Sequence, residues 1–302
     1  MRMRCHIEVG VSPVLALGRD VARSIILVAP ERVEQVRALV QDLTLIISND
    51  GAPRCSIDPK GKTITVSRKM LEHLWCTALA YWVLYSRHLA GRTVTKREEL
   101  DLTADKQTYA AMKLLKWSID TVIRSVDKPW PEGLYRPCVN PDHGSEVHVA
   151  NELLFTAVAF LLHHELSHYR LAHSAGTERV DTIDQERDAD YEAANWMLGA
   201  CRGEVLVKRS IGVATAFMAM VALDIHARRY EPARHPRSIE RLINTLDRYV
   251  TDPHHVVWGL TVGSLKVHLD FMNVKVHNRA FESARQAAEE YAEVLSRQPA
   301  SD

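Results

Sequence analysis

The sequence predicts a mainly α fold of the α+β class, with a small β-hairpin or edge-strand element. Three observations carry this prediction. Asn151 to Ser174 contains no Pro or Gly, and Leu154, Val158, Leu161, Leu162 and Leu166 recur there at helical spacing. The chain after Thr177 keeps a helical pattern nearly throughout. Extended residues gather around one Pro/Gly turn, Pro59-Lys60-Gly61-Lys62.

The chain has 302 residues, enough to bury a substantial core. We read it as one domain, 1–302, in three stretches: an N-terminal part to 150, a core over 151–249 and C-terminal helices over 250–302. Lys plus Arg and Asp plus Glu both number 38, so no net field draws nucleic acid or an anionic membrane. Basic clusters such as Arg228-Arg229 and Arg234 to Arg237 read as solvated faces. The cysteines Cys5, Cys55, Cys76, Cys138 and Cys201 are odd in number and form no CxxC, which suits reduced thiols in a cytosol. Glu8, Arg19 and Asp20 interrupt any signal-peptide core, and the apolar run Ile211 to Leu223 is short for a bilayer. These features predict a cytoplasmic protein.

In chain order, a short strand is expected near Ile7 to Val9, then a helix. Pro30, Glu31 and Glu34 signal a helix start, and Val33, Val36, Leu39, Val40 and Leu43 extend its period to about Ile47. Cys55 to Asp58 and Thr63 to Val66 form a hairpin. Ser67 caps a helix over 68–88 whose Leu71, Leu74, Trp75, Ala78, Trp82 and Tyr85 face the core. Another helix spans about Thr103 to Val126. Asp127 to Gly144 is a long loop of the kind that often serves as a lid. Glu146 to Ala150 is expected as a short strand, with Asn151 capping the next helix. Five further helices are expected over about 180–200, 205–227, 237–249, 255–272 and 279–297.

Within the stretch from Asn151, His164-Glu165-Leu166-Ser167-His168 reads HExxH. Residues four apart on a helix lie about 40° apart around its axis. His164 and His168 therefore project from one side, where two imidazoles can meet one metal ion. Glu165 sits on the adjacent side, where a water on that ion would lie. This is the zincin arrangement, two ligands and a general base.

A catalytic zinc site takes a third protein ligand. At helical spacing Glu186 falls with Ala189, Ala193 and Met197 on an apolar stripe, where an unpaired carboxylate is costly. Glu186 is the expected ligand. Asp190, one turn on, is its competitor, or else the acid that accepts a hydrogen bond from a ligating histidine. A plain alternative has Glu186 paired with an arginine.

These residues carry a resemblance. HExxH followed by a Glu on a second helix resembles the gluzincins. Glu186-Arg187-Asp188-Ala189-Asp190 resembles the ExxAD element of HtpX-like and CAAX-processing metallopeptidases, and His235-Pro236-Arg237-Ser238-Ile239-Glu240-Arg241-Leu242 is similar to their HPxxxxR segment. By that similarity His235 and Arg241 steady the transition-state oxyanion. Read locally, His235 caps a helix with Ile239, Leu242, Ile243 and Leu246 as its core face. HtpX-like enzymes carry transmembrane helices, and none is expected here. Length, motif position and solubility resemble instead the Lit-type phage-exclusion peptidases. That resemblance implies a translation factor as substrate and a phage component as activating partner.

The expected function is thus a zinc-dependent endopeptidase acting on a protein or peptide. His164, His168 and Glu186 would hold Zn²⁺, Glu165 would move the proton, and Tyr169, Tyr191 and His143 are further oxyanion candidates. Two rivals stand beside it. One is a regulatory or antitoxin-like protein that uses the fold for recognition. The other is a structural zinc site closed by His163 or His173.

Overall fold

The computed structural model of the chain describes residues 3–8, 10–50, 52–89, 105–124, 126, 128–171, 179–226, 236–276 and 280–297. Strand β1 (Arg4–Ile7) comes first. Two 3-10 turns, Pro13–Leu17 and Pro30–Arg32, lead into helices α1 (Gly18–Leu27) and α2 (Val33–Val40). Each turn begins at a proline, whose missing N–H costs nothing at a helix start.

Helix α2 stops at Val40, and Thr44–Ser48 is strand β2, where the sequence reading carried a helix to Ile47. Leu43, Leu45 and Ile47 are buried, while Thr44 and Ile46 are only half-buried. That is a period of two. Leu39, Val40 and Leu43 happen to fit both periods, and the β-branched run Thr44, Ile46, Ile47 resolves them toward the strand.

The expected hairpin is present as β3 (Cys55–Asp58) and β4 (Thr63–Ser67), with Lys62 at φ 50° in its turn. The sheet order is β1-β2-β4-β3. Strands β1 and β4 flank β2 in parallel, and β3 runs antiparallel at the edge.

Helix α3 (Arg68–Leu84) begins where expected, with the Ser67 hydroxyl accepting from the Met70 N–H at 3.2 Å. It continues into a π-helical turn, Tyr85–Leu89. Helix α4 (Lys106–Trp117) is capped by Asp105 and ends in a second π-helical segment, Ser118–Ile123.

Helix α5 (Glu146–Arg170) starts five residues before the expected cap. The expected strand over Glu146 to Ala150 is its first turn. Gly144 adopts φ 79°, and the Ser145 hydroxyl accepts from the His148 N–H at 3.2 Å. A serine cap followed by a first-turn acid outweighs a short apolar alternation. Asn151 has a different task. It is buried, accepts from Trp75 Nε1 at 2.8 Å and donates to the Cys138 carbonyl at 2.8 Å.

That second bond pins the loop before α5. Trp130 pins it again, lying edge-on to Trp75 at 5.6 Å and against Trp117 at 5.1 Å. At about 1.5 Å per residue, Asn151 lies about 20 Å along the helix from His164. The loop is therefore fastened at the wrong end of α5 to serve as the lid that the sequence suggested.

The remaining helices are α6 (Arg179–Leu198), α7 (Gly203–His226), α8 (Ser238–Asp247), α9 (Val256–Phe271) and α10 (Ala284–Ser296). Helices α3, α5 and α7 pack on one another at the centre, and α5 also meets α1 and α6. Trp75, Tyr81, Phe160, Phe217 and Trp258 are fully buried there. Helix α7 is long and apolar enough to cross a membrane by length and composition, but most of its residues are buried inside the fold.

Several histidines prove to be core residues. His73 contacts Ser118 Oγ at 2.7 Å and the Ala219 carbonyl at 3.1 Å. His268 lies between the Tyr81 hydroxyl, 2.5 Å from its Nε2, and His226, 3.2 Å from its Nδ1. Burial holds His73 and His226 down to about 4, and His268 well below its ordinary range.

Candidate metal centre

Helix α5 brings the HExxH residues to the centre of the fold, and α6 crosses beside them. Glu186 reaches the histidines from α6, and the three ligand atoms lie within 4.8 Å of one another. His164 Nε2 is 3.1 Å from His168 Nε2 and 3.5 Å from Glu186 Oε2, and His168 Nε2 is 3.2 Å from Glu186 Oε1. A tetrahedral zinc ion with bonds of 2.0–2.1 Å sets its ligand atoms about 3.3 Å apart. The observed triangle fits that spacing. His164 and Glu186 are buried, and His168 is half-buried.

The surroundings orient these groups. His164 turns its other nitrogen, Nδ1, to Asp190 Oδ1 at 3.0 Å. The pairing is one of charge at ion-pair distance, without hydrogen-bond geometry, and Nε2 is the nitrogen turned to His168 and Glu186. Burial disfavours a charged His164, but Asp190 and Glu186 outweigh it and raise its pKa. Burial likewise works against the Asp190 carboxylate, yet Arg241 and His164 hold its pKa below the ordinary range.

Arg241, on α8, lays Nε and Nη2 on Asp190 at 2.7 and 2.8 Å. The same Nη2 is 3.2 Å from Glu186 Oε2. The sequence offered Glu186 either a metal or an arginine; the structure sets it against Arg241 and beside two histidines with which it could hold a metal ion.

Glu165 faces the edge strand. Burial raises its pKa, while the two histidines pull the other way. The Ser67 N–H bonds to the Arg54 carbonyl, so the alternation of an antiparallel ladder turns Cys55 and Ile57 outward along β3.

Other candidates lie elsewhere. His163 is buried about 100° around α5 from His164, stacked on Trp196 of α6 at 5.5 Å, and burial holds it near 4. It does not join the ligand triangle. His143 stacks on His148 in the first turn of α5, away from the motif. Tyr191 is exposed, beneath the Arg248 guanidinium, in a cleft shared with Asp190 and Arg241. Tyr169 is half-buried at the end of α5. His173 and His235 lie outside the described residues.

The fold and site together define a helical protein with a small mixed sheet and a buried His-His-Glu cluster able to hold a metal ion. The chain belongs to the Peptidase U49 family, whose model matches residues 64–261. That span includes both histidines, Glu165, Glu186, Asp190 and Arg241. The chain is also similar to the cell death peptidase of Escherichia coli (strain K12), at 26% identity over 282 residues, covering 90% of this chain and 94% of that protein. No solved structure matches it.

Proposed function

We propose that this chain is a zinc-dependent endopeptidase of narrow specificity, working in the cytoplasm. The observation that carries this reading is the ligand triangle of His164, His168 and Glu186, with Glu165 next to it on the same helix. Zinc held there would lower the pKa of a water toward neutrality and polarise the scissile carbonyl.

The protein's own groups do the rest. Glu165 takes one proton from the attacking water as its oxygen bonds to the carbonyl carbon. It delivers that proton to the leaving nitrogen as the C–N bond breaks. Its burial favours this role, since desolvation raises the basicity of a carboxylate. Asp190 lies 3.0 Å from His164 Nδ1, where its charge would support that ring as a ligand. His235 remains the oxyanion donor implied by the HPxxxxR resemblance. The outward backbone of Cys55 and Ile57 gives β3 an edge on which an extended peptide can pair.

The similarity to a cell death peptidase supports the peptidase role. By the Lit-type resemblance the substrate is a translation factor and the trigger a phage component. The test is N-terminal profiling of bacterial cells expressing wild type or Glu165→Gln, with and without phage infection. We expect new N-termini on one or a few proteins, dependent on Glu165 and stronger after infection. Identical profiles for the two proteins, with zinc bound in both, would remove the endopeptidase assignment.

A further inference from the structure

We propose that Arg241 is a positioning residue that braces the third ligand and the acid behind His164, and is not itself an oxyanion donor. The inference rests on the metal-centre reading above.

Helix α6 places Glu186 and Asp190 four residues apart, hence on one side and one turn apart. Both are buried, at 7% and 4% exposure. Two buried carboxylates so placed repel each other, and each has lost its hydration. One cation spans the pair. Nε and Nη2 of Arg241 form a fork on Asp190, and Nη2 also reaches Glu186. The guanidinium lies 5.8 Å from the centre of the Phe217 ring on α7, so it is held by packing as well as by charge.

Two ligand atoms trace back to this one group. Arg241 fixes Asp190, and Asp190 lies behind the ring of His164, 3.0 Å from Nδ1 at ion-pair distance. Arg241 also touches Glu186 Oε2, while Oε1 of the same carboxylate faces His168. An oxyanion donor must keep an N–H for the substrate. Here Nε and Nη2 are turned to acids, which leaves that role to Nη1 alone, on a side chain that is 8% exposed. A lysine would keep the charge but not the fork, because an ammonium is a point charge without the planar donor pair.

The test is zinc affinity by chelator competition on the full chain. Wild type is compared with Arg241→Lys, Arg241→Gln, Asp190→Asn and the Arg241→Gln/Asp190→Asn pair. Groups that orient metal ligands typically contribute about 10–100-fold to affinity. We expect a loss of that size in Arg241→Lys and Arg241→Gln, with no rescue by lysine. The double variant should be no weaker than the weaker single, since both changes break one chain of contacts. It also removes the two opposite charges together, so it serves if Arg241→Gln alone fails to fold. Zinc affinities within twofold of wild type in both Arg241 variants would overturn the brace, as would losses that simply multiply in the double variant. An unchanged affinity with kcat lowered about 10²–10³-fold would return Arg241 to the oxyanion. If wild type itself binds no zinc, the metal-centre reading fails rather than the brace.

Discussion

Gly212 sets how close α7 comes to the helix that carries the motif, and Gly212→Ala is the substitution that tests this most sharply. A Cβ at position 212 would lie 2.3 Å from Thr156 Cγ2 and 2.4 Å from Thr156 Cβ. Carbon atoms rest at about 3.5–4.0 Å, so the two helices must part by about 1 Å. Rotation of Thr156 cannot relieve the clash, because its own Cβ is involved and its hydroxyl is bonded to the Glu152 carbonyl at 2.8 Å. Overpacking of this kind costs about 1–3 kcal/mol, and a rigid contact belongs at the upper end. Alanine recovers about 1 kcal/mol over glycine in a helix. The net expectation is a loss of about 2 kcal/mol, or about 3 °C in Tm for a chain of 302 residues at about 2.1 cal/mol/K of unfolding entropy per residue. Thermal melting followed by circular dichroism reads it. In a Thr156→Gly background the same Gly212→Ala change should become neutral or stabilising. An unshifted Tm, or an equal loss in both backgrounds, would refute the close-packing argument.

Two further outcomes follow from the buried groups. His73 and His268 are neutral in the fold, with His73 held near 4 and His268 well below its ordinary value. Between about pH 6.5 and 4 the unfolded chain therefore binds more protons at these positions, and stability falls as pH falls through that window. The slope approaches about 1.4 kcal/mol per pH unit for each histidine, and urea unfolding at pH 7.5, 6 and 5 measures it. A flat profile, or one unchanged in His268→Gln, would contradict the burial argument. At the metal centre, Glu186→Ala should abolish zinc retention, while Asp190→Ala should weaken it by about 10–100-fold. Zinc retained by Glu186→Ala and lost in Asp190→Ala would exchange their roles.

Much of this was legible because it depends on spacing along single helices. HExxH fixes His164 and His168 on one side of α5 whatever surrounds them. Glu186 stood out as a carboxylate on an apolar stripe, and Asp190 as an acid one turn beyond it. The hairpin and the start of α3 were equally local, set by Pro59, Gly61 and the Ser67 cap. The failures arise where two local codes overlap or where the partner is distant in sequence. Residues 39–47 satisfy both the helical and the strand period until the sheet pairs Leu45 with Ile64. Residues 146–150 look extended until Ser145 is seen to cap them. The fork between Arg241 and Asp190 joins residues 51 apart, and the bond from Trp75 to Asn151 joins residues 76 apart. Neither leaves a mark on a local window. The core histidines His73 and His268 lacked any motif, and only packing distinguishes them from surface ones.

The central claim is that His164, His168 and Glu186 hold a single zinc ion beside Glu165. Its most direct test is elemental analysis of the full chain purified without added metal or chelator. The account predicts one zinc per chain in wild type and in Glu165→Gln, and none in His164→Ala/His168→Ala. A wild type free of zinc, or zinc content unchanged when both histidines are removed, would contradict it.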